Sequence, residues 1–319
     1  MPRFFDPMPA WLDQGEEFAL GIISRIKGSS PQKSGAKALF FADGRIHGTL
    51  GGGCLEAEIQ DRARRALRSG EPATFELVLD HDFGWDDGLI CGGKVWGLIL
   101  PRAAAAAEIW RTLAKGDEAV NWGVKKDFSI ARANGEPEDQ WLYRESISPP
   151  CELWIAGSGH VAQAVAPLAL QVDFKVTVFD DRPTLANHQH FPSATNLRVG
   201  YWDDLLPEAM LHGPVFGLIV TRGHQHDALV LRHWVHRPFV FLGMIGSRRK
   251  RRLIFQQFVQ EKIASAAELE KVQCPVGLDI QATGVNEIAV SVLAQLIQKR
   301  AALNSAILTG DLRPAVSAP

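Results

Sequence analysis

The second half of the chain alternates short apolar segments that predict buried strands with longer amphipathic segments that predict helices. The predicted strands are residues 153–156, 175–179, 196–199, 215–220 and 239–242. The predicted helices are a segment that ends near Leu170 and the segments 227–234, 248–260 and 287–301. Strands that alternate with helices in units of roughly 30 residues form a parallel sheet with helices on both faces. We therefore predict a Rossmann-like α/β domain over residues 151–319.

The first half lacks this regular alternation and predicts an α+β domain over residues 1–148. Its predicted strands are 18–26, 38–41, 45–49, 74–79, a segment after Gly93, and two or three short strands within 120–144. Its predicted helices are a short leading one at 9–14 and two longer ones at 54–68 and 103–114. A chain of 319 residues is long enough for two domains, and Ser148-Pro149-Pro150 is the best candidate for their linker.

Composition and charge narrow the classes of protein that this sequence can represent. The net charge of −2 gives no reason to expect a nucleic-acid partner. No apolar stretch is long enough to span a bilayer and no secretion signal is visible, so we expect no membrane partner and a cytoplasmic protein. The four cysteines lie far apart without CxxC spacing, which argues against a zinc ribbon and against a disulfide-stapled secreted fold.

Three consecutive glycines, Gly51, Gly52 and Gly53, stand directly before Cys54 and the predicted helix 54–68. Glycine adds conformational entropy and no side-chain packing, so a triplet marks a place where the backbone needs space. The N-terminus of a helix stabilises anions, lowers the pKa of a cysteine placed there, and offers its amides to a phosphate or an oxoanion. Cys54 is therefore a candidate reactive thiol. The alternative is a tight strand-to-helix turn with a buried, inert cysteine.

A second thiol, Cys91, also stands beside glycines, Gly92 and Gly93, immediately before a predicted strand. It could face Cys54 across a pocket. We favour a packed cysteine at the entry to the strand, because free cysteine is among the residues most often buried.

The turn after the first predicted strand of the second half carries a dinucleotide fingerprint. Gly157-x-Gly159-x-x-Ala162 follows a strand and opens a helix, and Asp180 lies twenty-three residues beyond Gly157 at the end of the next strand. In this context the helix N-terminus faces a pyrophosphate and the acid faces a ribose. His160 would point toward the ligand or cap the turn. The alternative is that the turn only packs the first helix of the domain.

Two further loops follow predicted strands of the same half. In residues 221–227, Arg222 and the histidines His224 and His226 are expected to line the ligand crevice. The helix that follows is expected to have Asp227 or a Ser/Thr-type residue as its cap. A metal site built on His224 and His226 is the alternative, but no clear third ligand is visible. In residues 246–252, Ser247 is a predicted N-cap, and Arg248 with the free amides suits a phosphate. The rest of that basic run fits a solvated helix face.

Taken together, seven motifs in order resemble the xanthine dehydrogenase accessory factor family (XdhC/CoxI). The motifs are GGGCLE at 51–56, GLICGGKV at 88–95, GSGHVAQAVAPLA at 157–169, VTVFDDRP at 176–183, TRGHQHD at 221–227, GMIGSRRKR at 243–251 and CPVGLDI at 274–280. They cover both halves of the chain. One departure is Gln281, which stands where the family pattern leads us to expect a glycine.

The resemblance implies a maturation factor rather than an enzyme. Such a factor binds the molybdenum cofactor, in molybdopterin or dinucleotide form, supports its sulfuration with a cysteine desulfurase, and inserts it into a molybdenum hydroxylase such as xanthine dehydrogenase. It further implies that Cys54 contacts molybdenum or relays sulfur and that Glu56 orients the site. We expect a homodimer.

Two other classes of protein stay open. The first is an NAD(P)-dependent oxidoreductase that uses the Rossmann-like half and its dinucleotide fingerprint. The second is a metal-binding or redox-sensing module built on Cys54, Cys91, His224 and His226.

Overall fold

The computed structural model describes residues 3–79, 93–211 and 213–308. The chain divides into two compact units, the first ending at Pro149 and the second beginning at Pro150. Within the described ranges, no helix has both the length and the apolar character that crossing a bilayer requires.

The first unit contains two antiparallel sheets within its described residues. The larger has the order β3-β2-β1-β5-β4, with strands β1 Phe18–Lys27, β2 Lys37–Phe41, β3 Ile46–Gly48, β4 Ala73–Leu79 and β5 Gly93–Leu100. The smaller has the order β7-β6-β8, with strands β6 Val120–Lys125, β7 Ile130–Arg132 and β8 Trp141–Ile147. The helices are α1 Met8–Asp13, α2 Gly53–Ser69 and α3 Ala107–Lys115. Two short 3₁₀ turns lie at Ala103–Ala106 and Glu138–Gln140.

The central strand β1 supplies both cores of the first unit. Side chains alternate between the faces of a strand, so Phe18, Leu20 and Ile22 enter one core while Ala19 and Ile23 enter the other. The first core also receives side chains from α1 and α3, and the second receives those from α2. The α2 residues in the second core recur at helical spacing and are Leu55, Ile59, Ala63 and Ala66.

The second unit is built on one parallel sheet. Its order is β11-β10-β9-β12-β13-β14, with strands β9 Glu152–Ala156, β10 Lys175–Asp180, β11 Asn196–Val199, β12 Val215–Ile219, β13 Phe241–Met244 and β14 Val272–Gln273. The helices are α4 His160–Gln171, α5 Trp202–Glu208, α6 His224–Trp234, α7 Arg248–Gln260, α8 Ala266–Glu270 and α9 Val285–Leu308.

Helices cover both faces of this sheet. Leu153 and Ile155 of β9 pack into a core with α4 and α9, whereas Trp154 and Ala156 pack into a core with α5, α6, α7 and α8. The Rossmann-like architecture is confirmed, and so is the mixed α/β class of the chain with antiparallel sheet in its first half.

The sequence placed most elements within two or three residues of their observed bounds. It missed α5, α8 and β14, which have seven, five and two residues. Elements this short contain too few residues to show a period. The predicted strand 239–242 lies two residues early, since β13 is Phe241–Met244.

Candidate functional site

The carboxyl ends of the parallel strands meet at one edge of the second unit's sheet. β9 lies between β10 and β12, and the strand order reverses between β9 and β12. Ligands of open α/β sheets bind outside the carboxyl ends of the strands at such a reversal. The predicted ligand-binding residues of this half lie at this edge, at the end of β10, in the loops after β9, β12 and β13, and at the starts of the helices that follow these loops. They are Gly157, Gly159, His160, Asp180, Arg222, His224, Ser247 and Arg248.

The two glycines of the turn after β9 serve different purposes. Gly157 has a φ of 114°, and a Cβ added there would lie 2.4 Å from the carbonyl oxygen of Val220. Gly157 is therefore required by the close approach of the neighbouring loop. At Gly159 an added Cβ would meet nothing within 4 Å. The backbone there is open to an incoming ligand.

Helix α4 begins directly after Gly159 without a side-chain cap. His160 is its first residue and is exposed. The first amides of a helix have no partner within the helix, so an uncapped start leaves them available to an anion. The position of His160 agrees with a side chain that faces a ligand rather than the core.

Asp180 is 1% exposed and bonded within the protein. Its carboxylate accepts the main-chain N–H of Ser158 at 2.6 Å, and the main-chain N–H, Nε and Nη2 of Arg182 at 2.8–2.9 Å. A carboxylate offers about four acceptor positions, and these bonds use that number. The expected contact between Asp180 and a ribose would require one of these bonds to break.

The electrostatics of Asp180 follow from the same contacts. Burial opposes ionisation, but the Arg182 guanidinium and the Ser158 N–H hold the pKa of the Asp180 carboxyl below its ordinary value. The hydroxyl of Ser158 is buried and has no hydrogen-bond partner among the described residues. Through its bond to the Ser158 N–H, the ionised Asp180 carboxylate holds the turn after β9 in place.

The loop after β12 joins the loop after β10. Arg222 donates to both carboxylate oxygens of Asp181, at 3.0 and 2.8 Å, and its Nη2 lies 2.8 Å from Nε2 of His226. Helix α6 begins at His224 with Gly223 as an N-cap that makes no side-chain bond, and His224 is exposed. Arg222 therefore lies on the crevice side of the sheet, and its contact with a ligand stays a prediction.

The expected capping role of Asp227 is wrong. Its carboxylate lies inside α6, is fully buried, and accepts the N–H and hydroxyl of Thr221 at 3.2 and 2.7 Å. It also forms an ion pair with Lys250, whose ammonium group donates to the carbonyl oxygen of Ile245 at 3.2 Å. The Lys250–Asp227 pair joins the first turns of α6 and α7, the helices that follow β12 and β13. In the sequence the two charges lie near the starts of two predicted helices, 227–234 and 248–260, which does not indicate that they pair.

The loop after β13 leads into α7 through the predicted cap. The Ser247 side chain accepts the main-chain N–H of Lys250 at 3.2 Å, which confirms Ser247 as the N-cap. Arg248 follows as the first helical residue and is exposed. It brings a second guanidinium to the same edge of the sheet as Arg222.

A metal centre at His224 and His226 finds no support in the described part of the chain. No group of three or more histidine, cysteine, aspartate or glutamate side chains there is placed to hold a metal ion. Nε2 of His226 is occupied by Arg222.

The glycine triplet of the first unit lies at the start of α2. Gly51, Gly52 and Gly53 have φ values of 121°, 73° and 58°, which side chains rarely adopt. A Cβ at Gly51 would lie 2.7 Å from Cγ of Pro31, while one at Gly52 or Gly53 would meet nothing within 4 Å. The helix has no side-chain cap. The triplet thus presents an open backbone at the helix start.

Glu56 holds the loop that precedes the glycine triplet through two hydrogen bonds. Its Oε2 accepts the Thr49 hydroxyl at 2.8 Å and the main-chain N–H of Leu50 at 2.9 Å. Oγ1 of Thr49 in turn accepts the N–H of Gly51 at 3.1 Å. Glu56 therefore fixes the approach to the triplet from within α2.

The structure describes the side chains of two of the four cysteines. The side chain of Cys54 and the whole of Cys91 lie outside the described residues. Cys151 and Cys274 are buried and unpaired. Burial raises the pKa of both thiols, in the case of Cys274 against the opposing charges of Lys250 and Arg251. These two thiols are therefore poor nucleophiles.

A cleft of about 650 Å³ in the first unit contains none of the predicted site residues. Its lining includes Leu12, Arg68, Arg102 and Arg111. Among the described site residues, His160, Arg222, His224, Ser247 and Arg248 are exposed at or beside helix starts at the carboxyl edge of the second unit's sheet.

The fold and the site define a two-unit α/β protein with a Rossmann domain. The chain belongs to the XdhC and CoxI family. The family model described as "XdhC and CoxI family" matches residues 11–78, and the one described as "XdhC Rossmann domain" matches residues 153–296. The resemblance seen in the sequence motifs is confirmed.

Relatives match along most of the chain. A protein of Bacillus subtilis (strain 168) named as a probable xanthine dehydrogenase subunit is 26% identical, over 94% of this chain and 98% of its own. "Molybdenum cofactor insertion chaperone PaoD" of Escherichia coli (strain K12) is 25% identical, over 91% and 85%. The crystal structure of a xanthine dehydrogenase from Bacillus halodurans has a TM-score of 0.82 at 24% identity, covering 95% of this chain and 97% of that chain, and shares the fold.

Proposed function

We propose that this chain is an accessory protein that binds the molybdenum cofactor and inserts it into a molybdenum hydroxylase such as xanthine dehydrogenase. The names of the relatives support this role, since one is a molybdenum cofactor insertion chaperone and another is a probable component of xanthine dehydrogenase. In this role the protein carries a cargo and does not turn over a free metabolite.

The observation that carries the proposal is that α4 and α6, which follow the adjacent strands β9 and β12, both begin without a side-chain cap. α4 and α6 begin at the carboxyl edge of the sheet with glycine N-caps that make no side-chain bond. Added Cβ atoms at Gly159 and Gly223 would meet nothing within 4 Å. Helix N-termini stabilise anions, and molybdopterin carries a phosphate or a dinucleotide. Arg222 and Arg248 add positive charge at the same edge.

The glycine triplet of the first unit supplies the second part of the proposal. A thiolate is a soft ligand that suits molybdenum and carries sulfur as a persulfide. Cys54, near the start of α2, is our candidate for the metal contact or the sulfur relay, with Glu56 holding its loop. A cysteine desulfurase would supply the sulfur. We further propose a homodimer in the cytoplasm.

Cofactor retention and transfer test the proposal. Purified protein is incubated with isolated molybdenum cofactor, passed over a desalting column, and assayed for bound molybdenum by mass spectrometry. The loaded protein is then mixed with cofactor-free xanthine dehydrogenase, and the activity recovered is measured. We expect retention of about one cofactor per site and recovery of activity above that with free cofactor. A protein that retains no molybdenum contradicts the proposal.

A Cys54→Ser variant tests the thiol within the same assay. We expect it to recover less activity than the parent protein, because the metal contact or the sulfur relay is lost. Reduced cofactor retention in the same variant indicates the metal contact, and unchanged retention indicates the relay. Cys151→Ala is the matched control, since it removes a buried thiol of the other unit. Equal recovery by Cys54→Ser and the parent protein contradicts the assigned role.

The second candidate is an NAD(P)-dependent oxidoreductase, favoured by the Gly157-x-Gly159 turn after β9. The occupied acceptor positions of Asp180 weigh against it, since that carboxylate would bind the ribose. A fluorescence titration with NADH separates the two. Tight NADH binding without cofactor retention favours the oxidoreductase.

A further inference from the structure

Arg222 and Asp181 form an ion pair across the crevice of the second unit. Both terminal nitrogens of the guanidinium donate to the two carboxylate oxygens, at 3.0 and 2.8 Å. Two other groups contact the pair: Nε2 of His226, 2.8 Å from Arg222, and Nε of Arg182, 3.9 Å from Asp181.

The sheet order shows what the pair spans. Asp181 directly follows β10, and Arg222 follows β12 by three residues. β9 lies between these strands, and neighbouring strands are about 4.8 Å apart. The pair therefore bridges a gap of about 10 Å over the carboxyl end of β9. The turn with Gly159 and the uncapped start of α4 lie at that end. A ligand on these amides must come close to the pair.

Asp180, Asp181 and Asp227 lie at this edge and differ in their exposure and in their bonds to main-chain groups. Asp180 and Asp227 are 1% and 0% exposed and bonded to main-chain groups. The Asp181 side chain is 20% exposed and the Arg222 side chain 41%. Partly exposed ion pairs exchange partners at little cost. Asp181 is therefore the acid of this edge that a ligand can replace.

Carboxylate and phosphate present the same face to a guanidinium. Both accept two parallel N–H bonds from arginine, and a phosphate carries the larger charge. We propose that Arg222 is the phosphate-binding residue of the crevice and that Asp181 is its internal competitor. An incoming phosphate takes the place of the Asp181 carboxylate on Arg222, and the crevice opens as the pair separates.

This exchange makes the crevice selective for phosphate-bearing ligands. A neutral nucleoside has no charge with which to displace Asp181, whereas a pyrophosphate bonds to Arg222 and to the amides of α4 together. The inference rests on the proposed function only for the identity of the cargo. The exchange itself concerns any phosphate-bearing anion.

Calorimetric titration with inorganic pyrophosphate tests the exchange on the full chain. Asp181→Asn removes the competing charge, and we expect it to bind pyrophosphate about two- to five-fold more tightly than the parent protein. Asp181→Ser is a second variant with the same expected direction. Arg222→Gln removes the binding residue, and we expect weaker binding. Thermal unfolding of each variant confirms that it is folded.

Glu261→Gln is the matched control. Glu261 pairs with Arg232 at 3.2 Å on the surface of the same unit, and the substitution changes the net charge by the same amount as Asp181→Asn. We expect its pyrophosphate affinity to equal that of the parent protein. Equal gains in Glu261→Gln and Asp181→Asn would show a general charge effect and overturn the exchange.

The remaining outcomes separate the exchange from the proposed cargo. Unchanged or weaker pyrophosphate binding by both Asp181 variants overturns the exchange, even where the parent protein retains the molybdenum cofactor. Tighter pyrophosphate binding by both supports it, even where the parent protein retains no cofactor and the proposed function fails. Cytidine as a probe completes the test, because tight binding of this uncharged nucleoside contradicts the selectivity.

Discussion

The carboxylate of Asp180 accepts the main-chain N–H of Ser158 at 2.6 Å and so ties the end of β10 to the turn after β9. Asparagine at this position would keep the shape but lose the charge that Arg182 and the Ser158 N–H stabilise. Hydrogen bonds to charged groups contribute about 1.5–3 kcal/mol each. We therefore expect Asp180→Asn to lower the free energy of unfolding at pH 7 by about 2 kcal/mol, as measured by urea denaturation.

The same substitution carries a pH signature with a definite sign. The pKa of the Asp180 carboxyl is lower in the folded protein than in the unfolded chain, where it is about 3.9. The stability from its charge is therefore present above that value and is lost as pH falls toward the folded pKa. The difference between the parent protein and Asp180→Asn should shrink below about pH 4. A difference that stays constant down to pH 3 contradicts this assignment.

The ion pair of Lys250 with Asp227 provides the second prediction, also on stability. Removal of one partner of a buried pair leaves an uncompensated charge, which costs about 3–5 kcal/mol. Asp227 keeps the Thr221 hydroxyl, so we expect Lys250→Met to cost about 3 kcal/mol in urea denaturation. Arg232→Met is the control, because its partner Glu261 is exposed and the expected loss is below about 1 kcal/mol.

A double variant sharpens that test. Lys250→Met with Asp227→Asn removes both charges, so it should lose less stability than the sum of the two single variants. Additive losses would show that the two side chains do not act as a pair.

The backbone conformation at both candidate sites could be predicted from the sequence. Gly157 at a strand end predicted a tight turn, and the triplet before Cys54 predicted a helix start with an open backbone. Both follow from local rules, since only glycine adopts these dihedral angles freely. The alternation of strands and helices likewise determined the parallel sheet, and with it the edge where the loops meet.

The contacts between charged side chains could not be predicted from the sequence in the same way. The sequence put Asp180 at a strand end, Arg222 in the loop after a strand and Asp227 at a helix start, but it did not indicate which charge each would contact. Asp180 was expected to face a ligand, which stays a prediction, and the sequence did not indicate its bonds to Arg182, two residues away. Asp227 was expected to cap α6 and instead meets Lys250. Such pairs depend on loop geometry across the sheet, which periodicity does not encode.

The two glycines of the turn after β9 give opposite predictions. Gly157→Ala would force a Cβ to 2.4 Å from the Val220 oxygen at an unfavourable φ, so we expect a loss of stability of more than about 2 kcal/mol. Gly159→Ala meets no atom within 4 Å at a φ of −72°, so the expected loss is below about 1 kcal/mol. Its added methyl group should instead weaken pyrophosphate binding. Calorimetry that shows unchanged binding for Gly159→Ala contradicts a ligand at this turn.

Gln281 gives a prediction of increased stability. It has a φ of 59° and is exposed, at the position where the family pattern leads us to expect glycine. A residue with a side chain costs about 1–2 kcal/mol of stability in the left-handed region. Glycine avoids this cost, but it gives the unfolded chain more conformational entropy, which offsets part of the gain. We expect Gln281→Gly to raise the free energy of unfolding by about 0.5–1 kcal/mol. Gln298→Gly, in the exposed face of α9, is the control and should lower it by about 1 kcal/mol.

Glu56 provides the last prediction, on the loop before the glycine triplet. Its Oε2 accepts from Thr49 and Leu50, so Glu56→Ala removes two bonds and should lower the free energy of unfolding by about 1–2 kcal/mol. Amide hydrogen exchange gives a direct readout, because the Leu50 N–H loses its acceptor and should exchange faster. Glu58→Ala on the same helix is the control, since Glu58 pairs with Arg62 in an i,i+4 bridge worth about 0.2–0.5 kcal/mol. Unchanged exchange at Leu50 in Glu56→Ala would show that Glu56 does not hold this loop.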